Sequence, residues 1–191
     1  MPVSPLVVVA APPRAGERPL DAVRRFLNSR RIEEGVDRLL DPEDARAWLT
    51  DQGYQPALLG ERRLAAYRTA REEIRGLLAG EPGGVERVDA LLARHAGAVP
   101  AIVGADGATV GGVRARAVAP ELQPLQAILL ALWRGAASGE LERLKVCADD
   151  RCRLAFYDRS RNRSRTWCTS GECGNRNRLT RHRARHRRQP G

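Results

Sequence analysis

The chain has 191 residues, 42% of them hydrophobic and only 4% aromatic, and carries 33 Lys+Arg against 23 Asp+Glu for a net charge of +10. That composition excludes a fully disordered chain, and no run approaches the 18 apolar residues of a membrane-spanning helix. The apolar stretch Leu6 to Ala11 has no basic residue before it and ends in Pro12-Pro13, so no secretory signal is expected.

In chain order, Pro19 to Arg30 reads as a helix with Leu20, Val23, Phe26 and Leu27 on one face. Asp41-Pro42 is a helix start, with Asp as cap and Pro at the first position, and that helix ends near Gly53. A longer helix is expected from Pro56 to Ala79, with Leu64, Tyr67, Ile74, Leu77 and Leu78 in helical period. Glu81 to Gly84 is a turn, and Val85, Val88, Leu91 and Leu92 mark another helix ending near Gly97. The period then changes. Ala101 to Val103 reads as a strand, Ala105 to Gly107 as a turn and Thr109 to Ala119 as a second strand, with Gly111-Gly112 taken as a bend. Glu121 to Ala137 shows a wide apolar stripe through Leu122, Leu125, Ile128, Leu129, Leu132, Trp133 and Ala136. This part offers no paired carboxylates, nucleophile elbow or HExxH helix, so no enzyme is expected. His95, Trp48 and Trp133 read as core residues.

Charge divides the chain. Residues 1–139 hold 18 basic and 17 acidic side chains, and residues 140–191 hold 15 and 6. Two units are therefore expected, 1–139 and 140–191. All four cysteines lie in the second, as Cys147-x4-Cys152-x15-Cys168-x4-Cys173. Two short pairs separated by a mid-length span form a four-ligand pattern that suits structural zinc, and the span has room for two short strands. Two disulfides, four unrelated thiols, an iron–sulfur cluster, or a set of Cys168, Cys173, His182 and His186 are the alternatives. A unit with so few large apolar residues needs a metal to fold, so chelation is expected to melt it and leave the N-terminal helices standing.

Between and after the cysteines run two arginine-rich segments, Asp158 to Arg165 and Gly174 to Arg188. The second reads as a helix with Leu179 as a docking residue and Arg181/Arg185 as a repelling i,i+4 pair, an arrangement that makes sense beside a polyanion. Arginine forks phosphate and guanine, and asparagine pairs with adenine. The candidate nucleic-acid contacts are Arg161, Asn162, Arg165, Asn175, Arg176, Arg178, Arg181 and Arg185.

Phe156-Tyr157-Asp158-Arg159-Ser160-Arg161-Asn162, Arg165-Thr166-Trp167-Cys168 and Cys173-Gly174-Asn175-Arg176 resemble the CGNR zinc-finger family over about Leu144 to Arg188. The N-terminal unit resembles the ABATE domain that precedes this finger in bacterial stress-induced transcription regulators. Its carriers are Phe26-Leu27-Asn28-Ser29 and the helix Asp41 to Leu49, although Ala11 to Gly16 departs from the family's usual glycine and acidic residues. The resemblance implies structural Zn²⁺ on Cys147, Cys152, Cys168 and Cys173, double-stranded DNA as partner and a cytoplasmic, nucleoid-associated regulator. Effector sensing by a small molecule, or homodimerisation, falls to the N-terminal unit, and an RNA-binding or ribosome-associated zinc module is the rival function. The expected fold class is α+β: a mostly helical N-terminal domain with a small β-hairpin, then a treble-clef-like zinc-binding mini-domain with a basic helix.

Overall fold

A computed structural model describes residues 18–96, 99–103, 110–114 and 117–180. The predicted turn at Ala105 to Gly107, together with His182, His186, Arg181 and Arg185, lies outside the described residues.

The fold is α+β. Helix α1 (Pro19–Leu27) starts with Pro in its first turn, and the Asp21 carboxylate accepts the Arg18 backbone N–H at 3.1 Å. Leu20, Val23, Phe26 and Leu27 are all buried, as their spacing predicts. After α1 the chain forms a minimal hairpin, β1 (Arg30–Arg31) and β2 (Val36–Asp37), joined by a 3₁₀ turn (Ile32–Glu34) and Gly35 at φ +66°. No other residue type takes that left-handed position as cheaply. The sequence reading did not contain this hairpin.

Helix α2 (Pro42–Asp51) is capped by Asp41, whose carboxylate accepts the N–H groups of Glu43 and Asp44 at 2.8 and 3.1 Å. Helix α3 (Glu61–Leu78) begins five residues later than expected. Residues 54–60 carry no regular secondary structure, in keeping with a residue before Pro56 that is disfavoured from helical space, and Leu59 among them is buried. Helix α4 (Gly84–Leu91) continues into a wide π turn, Leu92–Ala96. Strands β3 (Val99–Val103) and β4 (Val110–Arg114) pair antiparallel, with Ala101 opposite Gly112 and Ile102 opposite Gly111. The two glycines therefore belong to a ladder, not a bend, and residues 117–119 carry no strand.

Helix α5 (Gln123–Ala137) is the central element. Leu122, Leu125, Ile128, Leu129 and Leu132 are buried, Trp133 is half-buried and Ala136 is exposed. It packs on α1 at Gly135, where a Cβ would meet the Leu20 side chain at 2.4 Å, so the two helices approach closely only because that position is glycine. Tyr67 of α3 packs edge-on to Phe26 and donates its hydroxyl to the Glu121 carbonyl at 2.7 Å.

A 3₁₀ turn (Glu140–Arg143) leads into β5 (Leu144–Val146), which pairs antiparallel with β6 (Ala155–Tyr157). Leu144 and Ala155 are buried in the same apolar cluster as the helices. The hairpin at the start of the cysteine-bearing segment thus contributes to the N-terminal core as well. No helix among the described residues is long and apolar enough to cross a membrane.

Candidate metal centre and the surface around it

The first cysteine pair sits on the β5–β6 turn. Cys147 N–H donates to the Leu154 carbonyl at 2.9 Å, extending the ladder by one rung. The N–H groups of Cys152 and Arg153 both reach the Asp149 carbonyl at 2.9 Å, and Arg153 sits at φ +48° to complete the knuckle. The two strands therefore flank the first pair, and only β6 lies in the span where two were expected. The second pair lies around a π turn, Ser170–Gly174, closed by Gly174 N–H to the Thr169 carbonyl at 3.1 Å. Residues 175–180 continue as helix α6.

These two turns bring the four sulfurs within 4.8 Å of one another. Cys152 and Cys168 Sγ are 3.5 Å apart, and Cys168 and Cys173 Sγ 3.7 Å. Such separations are far beyond a disulfide bond and close to the edge of about 3.8 Å in a tetrahedron with metal–sulfur bonds of about 2.3 Å. All four cysteines are free, three of them buried. Burial pushes the thiols of Cys152 and Cys168 up, Cys168 to about 11, and the nearby sulfurs of Cys173 and Cys147 add to the rise. Four thiolates this close need a cation among them. The donor set thus fits a tetrahedral, thiolate-seeking ion with no open position.

Between the pairs, the loop 158–167 is organised on Asp158, whose side chain is 0% exposed. Its carboxylate accepts Lys145 Nζ at 2.8 Å, the Ser160 N–H and hydroxyl at 2.9 and 2.6 Å, and the Arg165 N–H at 2.9 Å. Burial opposes its charge, but those donors win and hold the carboxyl well below the usual carboxylate range. Lys145, the single lysine of the chain, also donates to the carbonyls of Arg163 and Arg165. The return of the loop is fixed by Ala148 N–H to the Thr166 carbonyl at 3.1 Å. Sequence reasoning missed Asp158 and Lys145. The Asp-x-Ser turn was a visible signal for the first, but nothing local marked the second.

A second carboxylate, Asp149, ties the two cysteine turns together. It accepts Arg176 Nε at 2.7 Å and Asn177 Nδ2 at 3.1 Å, while Asn177 also donates to the Cys173 carbonyl at 3.0 Å. Arg176 reaches further. Its Nη2 lies 3.4 Å from Cys173 Sγ, and Nη1 and Nη2 fork the Glu33 carboxylate at 2.5 and 3.3 Å. The Arg176 hydrogen bond outweighs the little burial there and lowers the Glu33 pKa.

The residues predicted to touch nucleic acid divide accordingly. Arg161 and Asn162 are exposed on the loop, and Asn175 and Arg178 are exposed on α6, where Arg178 Nη1 donates to Asn175 Oδ1 at 3.4 Å. Arg165 is half-buried, its Nη2 donating to the Cys168 carbonyl at 2.5 Å and its guanidinium 5.1 Å from the Phe156 ring centre. Arg176 is half-buried in its carboxylates. Leu179, expected to dock α6, is 57% exposed because the helix instead leans on Asp149 through Arg176 and Asn177. A groove of about 600 Å³ runs between the helices and the metal-site segment, with Leu77, Leu78, Leu141, Val146 and Arg165 among its walls. A smaller cavity of about 430 Å³ lies under the β1–β2 hairpin, bordered by Arg30, Arg68 and Arg71.

Comparison with known families agrees with this geometry. Residues 143–186 match the CGNR zinc finger family. Residues 20–138 match the ABATE family, described as "Putative stress-induced transcription regulator". No curated protein matches the chain.

Proposed function

The chain belongs to the ABATE family and carries a CGNR zinc finger, and from that premise we propose that it is a zinc-dependent transcription regulator that binds double-stranded DNA. Zn²⁺ is held by Cys147, Cys152, Cys168 and Cys173. With four protein ligands it is structural, fixing the loop 158–167 relative to α6. Those two segments present Arg161 and Asn162 on one side and Asn175 and Arg178 on the other as a cationic, hydrogen-bonding surface. The single observation that carries the reading is the gathering of four sulfurs within 4.8 Å of one another between these two arginine-bearing segments.

The N-terminal helices sense a small molecule or dimerise, and either event reaches the metal site through the β5–β6 hairpin they share. The protein acts in the cytoplasm on chromosomal DNA. The test combines elemental analysis with duplex-DNA titration. One zinc per chain is expected, with affinity falling roughly 10³-fold between about 50 and 200 mM salt for six phosphate contacts. Preference for structured RNA over duplex DNA at equal salt would replace DNA by RNA as the partner.

A further inference from the structure

We propose that Glu33 is a built-in stand-in for phosphate, occupying the outward fork of Arg176 so that the hairpin of the N-terminal unit and a nucleic-acid backbone compete for one guanidinium. The inference rests on the nucleic-acid reading above.

Arg176 meets two carboxylates of different kinds. Asp149 belongs to the metal-site segment, is buried and takes Nε. Glu33 comes from 143 positions earlier, is 52% exposed and takes Nη1 and Nη2 together. The first contact orders the helix on the cysteine turn. The second adds nothing to that order, because Asp149 and Asn177 already provide it. A bidentate fork onto a carboxylate has the geometry of a bidentate fork onto a phosphodiester, so one can replace the other without moving the arginine.

The position of Glu33 suits an exchangeable cover. It lies on the three-residue 3₁₀ turn Ile32–Glu34, carried by strands of two residues each, and the turn buries none of its residues. Lifting it exposes no core. The base of the hairpin is separately fastened by Asp37, which accepts both Nη groups of Arg71 at 2.6 Å. The turn can therefore open while its root stays in place. On the segments next to the covered fork, Asn175 and Arg178 are exposed on the same helix and Arg151 on the turn of the first cysteine pair, with Asp150 and Glu172 as the exposed acids of those turns. Neighbouring Glu34 carries the same charge but pairs with Arg31 at 2.6 Å.

The test uses the zinc-loaded full chain and a labelled mixed-sequence duplex, with affinity read by fluorescence anisotropy. Glu33→Gln removes the competing charge while keeping the side-chain shape. It should tighten binding about two- to fivefold at about 50 mM salt, the range an exposed ion pair commands. The gain should shrink at about 200 mM, where the pair being removed is already screened. Glu34→Gln makes the same change in net charge and should give clearly less. In an Arg176→Ala background the Glu33→Gln gain should vanish. Unchanged zinc content and melting temperature verify that Glu33→Gln is folded. Equal tightening by Glu33→Gln and Glu34→Gln, or none from Glu33→Gln while the wild type binds, would overturn the cover and leave the DNA reading intact. Failure of both wild type and Glu33→Gln to bind any duplex at low salt would overturn the two together.

Discussion

The Asn28 side chain completes the free edge of Ala155. Its Nδ2 donates to the Ala155 carbonyl at 2.9 Å, and its Oδ1 accepts the Ala155 N–H at 2.8 Å. An asparagine just past the end of α1 thus behaves as one residue of a third strand beside β6, 127 positions away in sequence. Both outward backbone groups of Ala155 are satisfied by one amide, and the hairpin that carries Cys147 and Cys152 is seated on the first helix.

Replacing that amide tests the seat. Asn28→Ala strands a donor and an acceptor on a buried residue, which should cost about 1–3 kcal/mol in urea unfolding. Hydrogen exchange at the Ala155 amide should accelerate by more than the global loss accounts for. Asn28→Asp keeps the acceptor but sets a carboxylate oxygen against the Ala155 carbonyl, so it should not rescue.

Removing the metal should not cut the chain cleanly in two. The composition of residues 140–191 suggested a unit that melts alone. Leu144 and Ala155 change that expectation, because both are buried with the helices. Zinc of the proposed kind supplies about 10 kcal/mol or more of folding free energy in small thiolate domains. Chelation should therefore release residues 158–180 and the turn 147–153, while β5, β6, α1 and α5 keep their protection. Hydrogen exchange with and without a chelator measures this, and full protection across 158–180 after metal removal would contradict it.

Much of this was open to reading from sequence, for definable reasons. The cysteine pairs were legible because ligand spacing is a local property. α2 was legible from Asp41-Pro42, α1 from a stripe that is buried residue by residue, and α5 from a stripe buried as far as Leu132 but half-buried at Trp133 and exposed at Ala136. The β1–β2 hairpin was not, since strands of two residues carry no period. Nor were the roles of Asn28 and Lys145, whose partners lie 127 and 13 to 20 positions away, while Asp158 showed its local turn to Ser160 but not its bond to Lys145. A cap facing its own helix leaves a pattern in sequence. A side chain that closes a distant strand or loop leaves only an ordinary polar residue.

Asp158→Ala should act on the metal although Asp158 touches no sulfur. Four donors converge on its carboxylate and fold the loop back to present Cys168. Loss of such outer support lowers metal affinity about 10–100-fold in other sites, and that range is expected here by competition with a chromogenic chelator. Asp158→Asn retains an acceptor for Ser160 but turns an NH₂ toward Lys145 or Arg165, so it should fall between wild type and alanine.

Asp37 contributes to the acid limb of stability alongside Asp158. Burial raises its pKa, but the paired Nη groups of Arg71, the Leu39 N–H and nearby charge more than offset this, and the net shift is downward. A carboxyl lower in the folded than in the unfolded chain stabilises above its unfolded value of about 3.9, and that contribution is lost as pH falls through the folded value. Asp37→Asn should therefore flatten the decline below about pH 4. At neutral pH it leaves the buried Arg71 with only the half-exposed Glu72 carboxylate as counter-charge, at 3.0 Å from its Nε, so the loss should approach but not reach the about 3–5 kcal/mol of a fully broken buried pair. Urea midpoints measured from pH 3 to 7 report both effects.

The two classes of arginine should separate on DNA. Arg161 and Arg178 are exposed, while Arg165 is held against the Cys168 carbonyl and Phe156. If the exposed pair grips phosphate, Arg161→Ala and Arg178→Ala should each weaken binding across all sequences and reduce the salt slope by about 1, with zinc content and melting temperature unchanged. Arg165→Ala should lower metal affinity and thermal stability first, because it removes two contacts to the second cysteine turn and the cover over Phe156. Its DNA affinity should then recover when zinc is supplied in excess. Arg161→Ala has no metal defect to repair, so added zinc should leave its weakened binding where it was, and recovery there would mean that the exposed loop works through the metal site after all.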